Sequence, residues 1–201
     1  MRFKEIVLLP YKNFLQSPFL MIATFITILV ATFYPSDMQN EYSVPRNGKE
    51  IFLVKVVDGY LRYTNTVLPI LTTIVLRDFT GMKQLIVIGV STTLSTHIPK
   101  NALNNVEIFG TRLGQRPSSK NHNMPSGHSS EAAMGAFFMM RRYSKWFGII
   151  LLPILIFTMY SRYMLNCHTL SATIAGAFTG LLMVLMFSSK ISVLDKFRFK
   201  P

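Results

Sequence analysis

Met124-Pro125-Ser126-Gly127-His128-Ser129-Ser130 joins a polar stretch to an apolar run, Ala132 to Met140. The junction predicts a helix N-terminus. Pro125 suits the first helical position, where its missing N–H would have had no partner. Ser126, Gly127 and His128 then carry N–H groups that a first turn leaves unpaired. Such a helix start attracts anions, and Gly127 lets a ligand approach the backbone. With His128 in the first turn the stretch points to phosphate chemistry. Taken alone, it is equally well a plain capped helix with an incidental histidine.

The surroundings weigh against the plain reading. Half of the 201 residues are hydrophobic and only 15% are charged. The apolar residues come in blocks too long and uniform for soluble helices of average length, which predicts a single all-α domain over 1–201, a polytopic membrane bundle. Six transmembrane helices are expected, at about 19–34, 64–76, 84–98, 126–140, 146–165 and 169–187. Short interfacial amphipathic helices accompany them, one in the N-terminal segment 1–16 and one at 51–63. Pro35 and Pro99 are expected to end the first and third spans, 37–50 to form a loop, and 188–201 to form a basic cytoplasmic tail. Gly176 and Gly180 permit close helix packing, although that spacing is common by chance. No cleavable signal peptide is evident. Cys167 is alone, so no internal disulfide is expected. The formal charge of +12 would suit nucleic acid. In a membrane protein it reads instead as cytoplasmic loops and contact with anionic lipid, and no nucleic-acid partner is expected.

Six spans place both termini on one side, with Arg77, Lys83, Arg141, Arg142 and Lys145, and the positive-inside rule makes that side the cytoplasm. Three stretches then meet on the outer side. They are Lys100 to Pro117 with Arg112 and Arg116, Pro125 to His128, and Ser161-Arg162 with His168. Ionisable groups at membrane depth are costly, which makes Arg162 and His168 functional candidates; snorkelling to the interface is the alternative for Arg162. The set can do phosphoryl transfer. Guanidinium groups and helix-start N–H groups hold charged oxygens, one imidazole attacks phosphorus and a second protonates the leaving oxygen. No carboxylate cluster is present to hold Mg²⁺, so neither a metal nor another cofactor is expected.

Arg116-Pro117, Pro125-Ser126-Gly127-His128 and Ser161-Arg162 followed by His168 resemble the three motifs of the type 2 phosphatidic acid phosphatase superfamily. The resemblance covers about residues 100–180. It implies that His168 is the nucleophile, through a phosphohistidine, and that His128 is the general acid. It also implies that Arg116, Ser126, Gly127 and Arg162 bind phosphate. Two positions depart from the pattern. The first motif's Lys is replaced by Phe109, leaving Lys100 or Arg112 to substitute. The third motif's Asp, which orients the nucleophile in that family, is replaced by Ala172. Glu131, Asn166 and Ser171 are the candidate replacements.

The stretch from Arg112 through Ser130 is similar in particular to a short subgroup of bacterial lipid A 1-phosphatases. That likeness implies a lipid substrate, lipid A or a related phospholipid or polyprenyl phosphate. It places the chain in the bacterial inner membrane with its site facing the periplasm. Undecaprenyl pyrophosphate or phosphatidylglycerophosphate hydrolysis, and lipid-to-lipid phosphotransfer, are the alternatives on the same residues. A non-enzymatic lipid-phosphate binder is a further alternative, left open by Ala172.

Overall fold

A computed structural model describes residues 1–34 and 46–191. Nine helices occupy most of them. They are α1 (Phe3–Val7), α2 (Leu9–Gln16), α3 (Pro18–Phe33), α4 (Phe52–Gly59), α5 (Thr64–Val75), α6 (Phe79–Ala102), α7 (Gly127–Arg142), α8 (Gly148–Met164) and α9 (Leu170–Phe187). The polar stretch after α6 also holds a short antiparallel hairpin, which the all-helical expectation did not include. Its strands β1 (Glu107–Ile108) and β2 (Thr111–Arg112) pair Glu107 with Arg112. The expected loop over 37–50 and tail over 188–201 lie largely outside the described residues, as does Pro35.

The centre of the bundle is α7, which packs against α5, α6, α8 and α9. Its inward residues are small, with Ala132, Ala133, Gly135 and Ala136 all buried, so neighbouring backbones come close. The pair Gly176 and Gly180 is used. A side chain at Gly176 would strike the Ser126 carbonyl, and one at Gly180 the Ser130 carbonyl. The α7–α9 contact therefore sets the position of the helix start that carries His128. Asn65 adds a polar tie, donating from Nδ2 to Ala132 O at 3.1 Å and to Leu151 O at 3.0 Å. At the other end of α7 the buried Arg142 pairs with Asp78, the N-cap of α6. Burial raises the Asp78 carboxyl, but Arg142, the Gly81 N–H and the Tyr143 hydroxyl outweigh it and hold the group below the ordinary carboxylate range.

Three sequence expectations change. Pro99 does not end its helix, since α6 runs on to Ala102. Proline removes one donor, but Leu103 N–H still bonds to Pro99 O at 2.8 Å and the turn closes, so Lys100 is carried on the helix. Pro125 is not the first helical residue. The helix begins at Gly127 with Ser126 as N-cap, because Ser126 N–H is drawn to Ala172 O at 2.9 Å and holds that residue extended.

The third concerns the spans. Among the described residues, Lys145–Met164 and Leu170–Phe187 are long and apolar enough to cross a membrane. Phe3–Gln16 and Pro18–Phe33 qualify only as a pair, bent by 102° at their junction. The helices at the other expected spans do not reach that standard, for visible reasons. With 12 residues α5 is short, α6 is rich in Ser and Thr, and α7 carries Glu131, Arg141 and Arg142.

Candidate active site

His168 is buried in the turn between α8 and α9. The turn folds back on itself, with Cys167 N–H and His168 N–H both donating to Arg162 O, at 3.0 and 3.3 Å. That accounts for the spacing between Arg162 and His168. Nδ1 of His168 lies 2.7 Å from the Asn123 carbonyl. A carbonyl only accepts, so Nδ1 carries the proton and Nε2 keeps its lone pair. Burial, with Arg116 and Lys100 adding to it, pushes the imidazole down to about 3, so it is neutral at physiological pH.

Asn123 is itself held at several points. Its Oδ1 accepts from Thr169 N–H at 3.0 Å, its Nδ2 donates to Thr169 Oγ1 at 3.1 Å, and its N–H donates to Gly114 O at 2.9 Å. A rigid carbonyl thus occupies the position expected of an orienting carboxylate. Ala172, where the resemblance implies Asp, is fully buried among Ala31, Met124 and Ala175.

The expected orienters are placed elsewhere. Asn166 shapes the turn. It takes the left-handed conformation at φ 56, which an Asn tolerates, and its carbonyl accepts from Ser118 N–H at 3.2 Å. Ser171 pairs with the Thr169 hydroxyl at 3.1 Å. Glu131 is exposed and makes no hydrogen bond to either histidine among the described residues. It lies within electrostatic reach of Lys100 and His128.

The helix start faces cations. Lys100 Nζ is the nearest side-chain atom to the open side of Gly127, 3.7 Å from where a β-carbon would stand. Lys100 and Arg116 are both within electrostatic reach of His168. Arg116 leans on the loop, with Nη2 3.3 Å from His122 O. Arg112 is turned away and donates to Asn104 O at 3.0 Å and Asn121 Oδ1 at 2.6 Å. Of the two substitutes for the missing first-motif Lys, Lys100 is therefore the one brought to the site. Ser126 does not offer its N–H, which is spent on Ala172, and its buried hydroxyl accepts from Ser129 Oγ at 3.0 Å. Among the described residues the N–H groups of Gly127 and His128 find no acceptor beyond their own helix.

Two residues join the site that the sequence reading had left on a surface helix. Asp58 of α4 pairs with Arg162 and also with Arg62, the latter at 2.9 Å. Arg62 Nη1 in turn lies 3.3 Å from His128 Nε2. Arg62 lies in the 3-10 turn Leu61–Tyr63 just past the end of α4, four residues on from Asp58, a spacing visible in the sequence. What the sequence lacked was the packing of α4 against α8, which turns that pair inward.

Histidines from two helix starts, facing cations and first-turn N–H groups, define a phosphate-handling helical protein. Residues 82–193 match the PAP2 superfamily, and the chain belongs to it. The chain is 38% identical over 162 residues to the lipid A 1-phosphatase of Helicobacter pylori strain J99, covering 81% of this chain and 82% of that one. It is 40% identical over 148 residues to the lipid A 1-phosphatase of Helicobacter pylori strain 26695, covering 73% and 77%. No solved structure matches it.

Proposed function

We propose that this protein is a membrane phosphatase that removes the 1-phosphate of lipid A through a phosphohistidine intermediate. The observation that carries the chemistry is the His168–Asn123 contact, which leaves a neutral imidazole with its attacking lone pair on Nε2. The relatives' named activity, matched over about four-fifths of both chains in the first case, supports the substrate.

In this reading Lys100, Arg116 and Arg162 take the phosphate oxygens, with the N–H groups of Gly127 and His128. His168 Nε2 attacks phosphorus. The bond from phosphorus to the lipid's oxygen breaks, and that oxygen takes a proton from His128. Water then attacks the phosphohistidine, giving His128 a proton, and inorganic phosphate leaves. No step needs a metal. Lipid chains have a place beside the site, an apolar cleft of about 470 Å³ between α3 and α9 lined by Ile26, Val30, Leu170 and Ile174.

Beyond the two long apolar helices and the bent pair, we assign the shorter or more polar α5, α6 and α7 as spans too, which makes six, with Phe3–Gln16 lying along the surface at its bend to α3. The distribution of basic residues supports termini in the cytoplasm and a site at the periplasmic face of the bacterial inner membrane. The deciding experiment is phosphate release by purified protein in detergent, with lipid A and undecaprenyl pyrophosphate side by side. Release from lipid A, lost in His168→Ala, is expected. Preference for the pyrophosphate would reassign the substrate. Activity of His168→Ala within tenfold of wild type would overturn the mechanism.

A further inference from the structure

The three motifs do not account for Arg62 or Asp58. Arg62 Nη1 is shared between Asp58 at 2.9 Å and His128 Nε2 at 3.3 Å, while Nη2 donates to Tyr63 Oη at 2.6 Å. Asp58 also pairs with Arg162, so one carboxylate faces two guanidinium groups. Lys100 and Arg116 add further positive charge near the histidines. Among the described residues the Nε groups of Arg62 and Arg162 are both buried with no acceptor. Buried donors left unpaired are costly, and several converging on one place call for a ligand rich in acceptor oxygens. The site therefore carries a cation excess and spare donors that a phosphate would satisfy.

Resting on the phosphatase reading above, we propose that Arg62 is a further phosphate ligand of this site, positioned by Asp58, so that the end of α4 and the turn after it belong to the active site. A guanidinium only donates, so His128 Nε2 must accept from it and carries no proton while that contact lasts. The free enzyme thus holds its general acid in an unready form. Phosphate oxygens compete for Arg62 Nη1 as a stronger, charged acceptor. When Arg62 turns to them, His128 Nε2 is freed to take up a proton from the buffered solvent and faces the leaving oxygen. Asp58 is a positioning residue, since it acts through Arg62 and Arg162.

The test uses full-length protein in detergent, with lipid A as substrate and orthovanadate as a phosphate mimic. The variants are Arg62→Ala, Arg62→Gln, Arg62→Lys and Asp58→Asn, with His168→Ala as control. Loss of one donor to a phosphoryl group is expected to lower kcat/KM by about 10²-fold in Arg62→Ala and Arg62→Gln, with part of the loss recovered in Arg62→Lys. Vanadate inhibition should weaken in parallel, which a purely structural role would not produce. Asp58→Asn should raise KM and weaken vanadate in the same direction, less strongly. Arg62→Gln keeps the three-carbon stem and a polar end without the charge, and decides the matter if Arg62→Ala does not fold. Wild-type kcat/KM and vanadate sensitivity in Arg62→Gln, with His168→Ala inactive, would overturn the proposal. An active His168→Ala would overturn the phosphatase mechanism beneath it.

Discussion

His168 donates from Nδ1 to the backbone carbonyl of Asn123, 2.7 Å away, across 45 residues of chain. The contact fixes the ring's tautomer and its direction. It also ties the loop after the hairpin to the turn before α9, so the loop's geometry and the histidine's orientation are linked.

That linkage predicts the effect of Asn123→Ala. The carbonyl remains, but Thr169 N–H loses its side-chain acceptor and the loop loses its anchor. We expect kcat to fall by about 10²-fold, the usual size of an acid–base or orientation effect, with little change in KM. Steady-state kinetics on lipid A check it. An unchanged kcat would mean that the carbonyl is held without the side chain.

Burial, with Arg116 and Lys100, lowers His168 from its ordinary 6.5 to about 3. Between those values the unfolded chain binds a proton at this residue and the folded chain does not. The fold must therefore lose stability as pH falls through that window, by up to about 1.4 kcal/mol per pH unit. Thermal unfolding from pH 7.5 down to pH 4 should show a steeper fall in Tm for wild type than for His168→Asn. Parallel curves would show that the imidazole is not held neutral.

Lys100 and Arg112 should separate cleanly. Lys100 faces Gly127, whereas Arg112 is committed to Asn104 and Asn121. Lys100→Ala is expected to lower kcat/KM by about 10²-fold, as loss of a charged phosphate contact does. Arg112→Ala should stay within a few-fold in turnover. The reverse pattern would move the phosphate site toward the hairpin.

Gly176→Ala should damage the site from the far side. The new methyl group meets the Ser126 carbonyl, which is backbone and cannot swing aside. We expect a loss of about 1–3 kcal/mol in stability, typical of overpacking, and a larger proportional loss in kcat than at a buried position remote from α7. Tm and kcat measured together check it. Wild-type values for both would show that α7 and α9 have room to separate.

Far from the histidines, Asp78→Asn leaves Arg142 buried without its partner. Breaking a buried ion pair by removing one side costs about 3–5 kcal/mol. Detergent unfolding should show that loss, while KM of whatever protein remains folded is unchanged.

Much was legible in the sequence because it depends on local chemistry. Apolar blocks and their breaks mark the helices, since burial follows hydrophobicity along the chain. The stretch from Pro125 to His128 and the pair Arg162 and His168 carry, by residue type and short spacing, the resemblance to the family that the match over residues 82–193 bears out. Gly176 and Gly180 permit close packing whatever lies opposite them. Tertiary structure alone decided which groups meet. Lys100 rather than Arg112 reaches Gly127 because α6 continues past Pro99. A backbone carbonyl, which has no signature in sequence, stands where the resemblance led us to seek a carboxylate such as Glu131. Asp58 and Arg62 read as the polar face of a surface helix until α4 packs on α8 and turns that face toward Arg162 and His128. Contacts between residues far apart in the chain depend on how helices stack, and one-dimensional patterns carry no term for that.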